Sequence, residues 1–161
     1  MNALVRRFIK TAVMFLALGL LTGASMLVRR ELLGIWPQPY VVSAHTHAVF
    51  VGFVMFMILG VALWLFPRPL RSDPHYRSGL IETVYWLLLA GTLLRFIGEL
   101  ARAYSNNPLL AWLVVAAGFT QVASLLLYVW TMWYRIRPTM RELRAGQENV
   151  EDCKEDAGRK K

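Results

Sequence analysis

Long apolar runs alternate with short polar segments along this chain, and the alternation sets the architecture. The runs are Phe8–Val28, Val41–Phe66, Leu80–Tyr104 and Leu109–Tyr134. Each meets the roughly 20 residues a helix needs to cross a hydrocarbon core of about 30 Å. The connections "RRELLGIWPQP", "PRPLRSDPHYRS" and "SNNP" carry the proline, glycine, serine and asparagine that punctuate helix ends. The pattern predicts an all-α, integral membrane four-helix bundle forming one domain over residues 1–134, since short loops favour antiparallel neighbours. The remainder, 135–161, mixes both signs of charge with few apolar residues, and is expected to be a cytoplasmic tail: a short interfacial helix followed by disorder.

Composition sharpens this reading. Hydrophobic residues make up 57% of the 161 and charged residues 17%, against about 45–50% and 25% in soluble domains. The formal charge of +8 does not imply nucleic acid, because the basic residues collect beside helix ends. Arg6, Arg7 and Lys10, then Arg68, Arg71 and Arg77, then Arg135, Arg137, Arg141 and Arg144 fall on one side. Only Arg29 and Arg30, with Arg102 near a helix end, fall on the other. The positive-inside rule then places both termini in the cytoplasm, across a bacterial-type inner membrane. "RRFIK" before an apolar run has the look of a twin-arginine signal, but Thr11–Val28 exceeds the usual signal core of about 7–15 residues, so a retained helix is expected. Cys153 has no second cysteine to pair with, which argues against a disulfide framework and a cysteine metal site.

The candidate chemistry begins at "SAHTHAVFVGF", where His45 and His47 open the second run near its outer end. At about 100° per residue, side chains two apart on a helix point roughly 200° away from each other. One small ion is not easily gripped by both; helical metal pairs use i and i+4. The spacing suits a helix standing between two ligand pockets, or one making two separate polar contacts. The plain alternative is a pair of interfacial or capping histidines.

The stretch "YVVSAHTHAVFVGFVMFMILGVALWLFPR" resembles the tenth transmembrane helix of subunit I of the haem-copper oxidases, nearest to C-type oxidases and the related nitric oxide reductases. His45-Thr46-His47, Gly52-Phe53, Gly60 and Pro67-Arg68 follow that family's order. There, the first histidine binds the high-spin haem and the second the low-spin haem, on opposite faces. The resemblance implies His45 and His47 as axial ligands of b-type haem, with Gly52 and Gly60 allowing close approach of a porphyrin or a helix. It covers about 29 residues. A whole subunit I has at least twelve spans and three more copper-binding histidines, whereas the only other histidine here is His75, in a loop. A haem-copper centre cannot be built from this chain alone, so it is not expected to be a stand-alone oxidase, and whether it is an enzyme stays open.

Other residues join the candidate site. Met26, at comparable depth, is a possible second axial ligand. A second copy of the chain is another source, which predicts a homo-oligomer such as a dimer, or membership of a larger respiratory or denitrification complex. Arg95, Glu99 and Arg102 share one face of the third span. They form either an ion network locking the bundle or an anchor for haem propionates together with Arg29 and Arg30. Glu99 can also orient a histidine through its ring N–H. Glu82 suits the start of its helix, and Gln121 is placed to hydrogen-bond across helices. Trp36, Tyr40, Tyr104 and Trp112, and Trp64, Tyr128, Trp130, Trp133 and Tyr134, read as aromatic belts. The functions this suggests are electron transfer, redox or gas sensing, or haem handling. The alternatives are a cofactor-free accessory or assembly subunit, or a copper or zinc site at an interface using a histidine with Glu99.

Overall fold

The computed structural model describes residues 3–65 and 78–133, and every span is a helix. They are α1 (Ala3–Leu33), α2 (Pro39–Leu65), α3 (Ser78–Arg102) and α4 (Pro108–Trp133), all long and apolar enough to cross a membrane. The chain is an all-α integral membrane bundle. His75, Cys153, Tyr134 and the tail lie outside the described residues.

Local sequence sets the ends. Gly34 adopts φ +63, the left-handed turn a helix terminus uses, and the Ile35 amide folds back onto the Arg29 carbonyl oxygen at 3.0 Å. Pro39 supplies the fixed φ of a first helical turn, with Gln38 extended before it. Asn107 caps α4: its side-chain oxygen accepts from the Leu109 amide at 2.9 Å, and Pro108 opens the helix.

The second helix is not regular. It is α-helical over Pro39–His47, winds as a π-helix over Ala48–Met55, and returns to α over Phe56–Leu65. The wide turns begin at the residue after His47, so the pair itself keeps α-helical spacing.

Helices α1 and α2 form one close hairpin and α3 and α4 another. In the first, glycines of α2 meet phenylalanines of α1. A Cβ at Gly52 would lie 2.5 Å from Phe15 Cγ, and one at Gly60 would lie 2.9 Å from Phe8 Cβ. These two glycines therefore serve helix packing within the chain, the small-residue contact common in membranes, and not the approach of a porphyrin. In the second hairpin, Gly91 and Gly98 of α3 abut Ala117, Gln121 and Val114 of α4.

The halves join through an aromatic core and a few interhelical hydrogen bonds. Phe8, Phe15, Phe56 and Tyr85 pack in a buried cluster, Phe15 stacked on Phe56 and Tyr85 edge-on to Phe8 and Phe56. Thr11 and Tyr85 share a hydrogen bond of 2.9 Å across the halves, while within the second hairpin Ser124 of α4 donates to the Val84 carbonyl oxygen of α3 at 2.9 Å. Tyr128 is buried and donates to the Leu59 carbonyl oxygen at 2.9 Å. It ties α4 to α2 and is no belt residue, whereas Trp36, Trp64, Tyr104, Trp112, Trp130 and Trp133 are exposed as belts require.

Candidate functional site

The two imidazoles leave α2 in different directions. His45 turns towards α1, where its Nδ1 lies 2.9 Å from the Gly19 carbonyl oxygen. Room for the ring comes from Gly23: a Cβ there would lie 2.9 Å from His45 Cε1. His47 turns towards α3. Its Nδ1 lies 2.8 Å from the Ser43 carbonyl oxygen one turn back, 3.3 Å from Ser43 Oγ, and 3.5 Å from Glu99 Oε2.

These contacts fix the tautomers. A carbonyl oxygen only accepts, so a neutral ring beside one carries its proton on Nδ1. In their neutral form both rings would present Nε2 as the lone-pair nitrogen, and neither Nε2 has a hydrogen-bond partner among the described residues. A metal-ligating histidine is commonly held this way, with its other N–H given to a carbonyl or carboxylate. The donor set fits iron ligation by either ring.

Behind His47 lies a buried polar network. Glu99 is 3% exposed. Its Oε1 accepts from Arg95 Nε at 3.0 Å and from Ser43 Oγ at 2.9 Å. Arg95 reaches on to Gln121 Oε1 at 3.3 Å, and Gln121 donates to Thr92 Oγ1 at 3.2 Å. Thr92 closes the chain by donating to the Leu88 carbonyl oxygen. Three helices are thus stitched together around one carboxylate. Glu99 Oε2 has no hydrogen bond, although it faces the His47 ring at 3.5 Å.

The remaining candidates divide. Arg102 does not join the Arg95–Glu99 pair; its guanidinium lies over the Tyr40 ring, 4.6 Å from the centroid. Arg30 pairs with Glu31 at 3.2 Å and covers Trp36 at 4.9 Å. Met26 and Arg29 line one cleft of about 520 Å³ between α1, the Gly34 turn, the start of α2 and the end of α3. Neither histidine lines that cleft. Glu82, far from this end, pairs with Arg7 at 3.1 Å. Among the described residues, no three His, Cys, Asp or Glu side chains gather around one point, so His47 and Glu99 find no third ligand for copper or zinc among them.

Three partners of the histidines carry no chemical flag in the sequence. Ser43 looks like a loop-edge hydroxyl, and Gly19 and Gly23 like ordinary membrane glycines. The signal that finds them is their spacing: Gly19 and Gly23 make a G-x-x-x-G, which opens one helix face to close approach. Here that face receives an imidazole.

No protein-family model matches the chain, and comparison with curated proteins and with solved structures finds no similar protein.

Proposed function

We propose that this chain is a membrane b-type haem-binding protein or subunit, with His45 and His47 as the iron ligands. The observation that carries the reading is the matched hold on the two rings: each Nδ1 lies against a backbone carbonyl oxygen, which leaves each Nε2 without a partner among the described residues, one ring turned to α1 and the other to α3. The likeness of "SAHTHAVFVGF" to haem-copper oxidase subunit I supports it from sequence. Bound haem would supply a one-electron couple or a gas-binding iron, for electron transfer, redox or gas sensing, or haem handling. The protein's share is to hold the rings, fix their tautomers and exclude water through the packed bundle. His45 on one face and His47 on the other would each hold a separate haem, and any further ligand would have to come from elsewhere. A second copy of the chain, or a larger respiratory or denitrification complex in a bacterial inner membrane with both termini cytoplasmic, is the partner this reading implies.

The test is an optical spectrum of the detergent-purified full chain, with and without carbon monoxide. A Soret band that is lost or shifted in His45→Ala and His47→Ala supports the reading. A colourless protein after haem supplementation refutes it.

A second reading rests on the same hydrogen bonds. His45 joins α2 to α1, and His47 packs beside Glu99 of α3, so both rings can serve as struts in a cofactor-free accessory or assembly subunit. The spectrum separates the two.

A further inference from the structure

We infer that the cleft at the histidine end binds one anionic phospholipid, with its phosphate on Arg29. Three observations converge on this ligand.

The first is depth. From Lys10 to Arg29 on α1 is 19 helical rises, or about 28 Å at 1.5 Å each. That matches the hydrocarbon core of about 30 Å. With Lys10 at one boundary, Arg29 stands at the other, where phosphates lie.

The second is charge. Arg29 is the one arginine at this end whose side chain has no partner among the described residues. Arg30 is taken by Glu31 and Trp36, Arg95 by Glu99 and Gln121, and Arg102 by Tyr40. An unpaired cation on a cleft wall complements an anion, and a guanidinium matches the fork of a phosphate.

The third is the lining. Below Arg29 the cleft is walled by Leu21, Val41 and Leu100, which suit an acyl chain, while Gln38 at its rim offers an amide donor beside the head group. The walls come from α1, α2 and α3, so a lipid seated there would bridge elements that the loop after Gly34 joins only on one side. Neither histidine lines the cleft, so Met26 and Arg29, expected from sequence to serve haem, face a space separate from both rings.

Native mass spectrometry of the detergent-purified full chain tests this, using phosphatidylglycerol and phosphatidylcholine with identical acyl chains. Wild-type protein should retain one phosphatidylglycerol in about fivefold preference over phosphatidylcholine, the weight of one basic side chain at an anionic surface. Arg29→Gln should reduce that preference to parity, and Arg30→Gln should leave it intact. Ser25→Trp, which fills the cleft, should remove retention of both lipids. Inorganic phosphate at the same concentration should not displace the lipid. Equal retention of the two lipids by wild type, an unchanged preference in Arg29→Gln, or displacement by phosphate alone overturns the assignment. These readouts need no haem, so they stand or fall separately from the spectrum.

Discussion

Gly23 and His45 occupy one place between α1 and α2: a side chain on the first would collide with the ring of the second, its Cβ 2.9 Å from Cε1. The ring cannot simply swing aside, because Nδ1 is tied to the Gly19 carbonyl oxygen on the same helix. Gly23→Val should therefore break that hydrogen bond and part the helices, at a cost of about 1–3 kcal/mol, as overpacking usually does. Thermal unfolding in detergent measures it. In haem-supplemented protein the same change should remove the spectral component lost in His45→Ala and spare that lost in His47→Ala. A Gly23→Val protein with wild-type stability would mean the ring is not wedged as described.

Arg95 and Glu99 form a charge pair whose halves are unequal partners. Glu99 is nearly enclosed and Arg95 is about one-quarter exposed. Removing the cation takes away the guanidinium that donates to the buried carboxylate and leaves it with the Ser43 hydroxyl and the His47 imidazole. Arg95→Ala should destabilise by about 3–5 kcal/mol, the usual consequence of orphaning a buried charge. The double variant Arg95→Ala/Glu99→Gln should recover most of that loss, since the neutral amide needs no counter-ion. A double-mutant cycle on unfolding midpoints checks both. If the double variant is no better than Arg95→Ala, the pair is not the reason Arg95 matters.

How far these features could be read in advance depends on whether periodicity or contact decides them. The four spans and the divergence of His45 from His47 follow from hydropathy and helical pitch, both local properties, whereas the first helix runs past the expected Phe8–Val28 at both ends, to Ala3 and Leu33, because polar residues at a helix end keep their backbone helical outside the apolar run. Gln121 as an interhelical bridge also follows, because a mid-span amide must find a partner. The face shared by Arg95, Glu99 and Arg102 misleads: pitch groups the three, yet Tyr40, contributed by another helix, takes Arg102 out of the group. Tyr128 misleads in the same way, since a tyrosine near a helix end is a belt residue unless a neighbouring carbonyl, here that of Leu59, draws it inward. The π-helical stretch gives no local sign at all. It follows the His47 contact with α3 and contains Gly52, which packs on Phe15 of α1.

Tyr128→Phe isolates one such contact. The hydroxyl donates to the Leu59 carbonyl oxygen across α4 and α2, and the ring remains buried without it. Interhelical hydrogen bonds in membrane bundles average about 0.6 kcal/mol and reach about 1.7. The loss should fall in that range and leave the histidine-end spectrum unchanged. A loss several times larger would show that the hydroxyl organises more than one contact.

The π-helical segment makes a sharper claim. A π-type insertion in a helix holds surplus chain that a regular α-helix would not need. Phe50 lies inside it and Ile58 lies beyond it, and both side chains are exposed, so neither deletion removes a buried group. Deleting Phe50 should let Ala48–Met55 tighten towards α-helix, keeping Gly52 against Phe15 and Gly60 against Phe8. Deleting Ile58 has no local slack to draw on and turns everything after it by about 100°, carrying Gly60 off Phe8. The Phe50 deletion should fold and run as a single species on size exclusion, with a shallow loss in unfolding temperature. The Ile58 deletion should aggregate or fail to accumulate. Equal tolerance of both would show that the wide turns hold no register, and that the alignment of the histidines with α1 and α3 is set elsewhere.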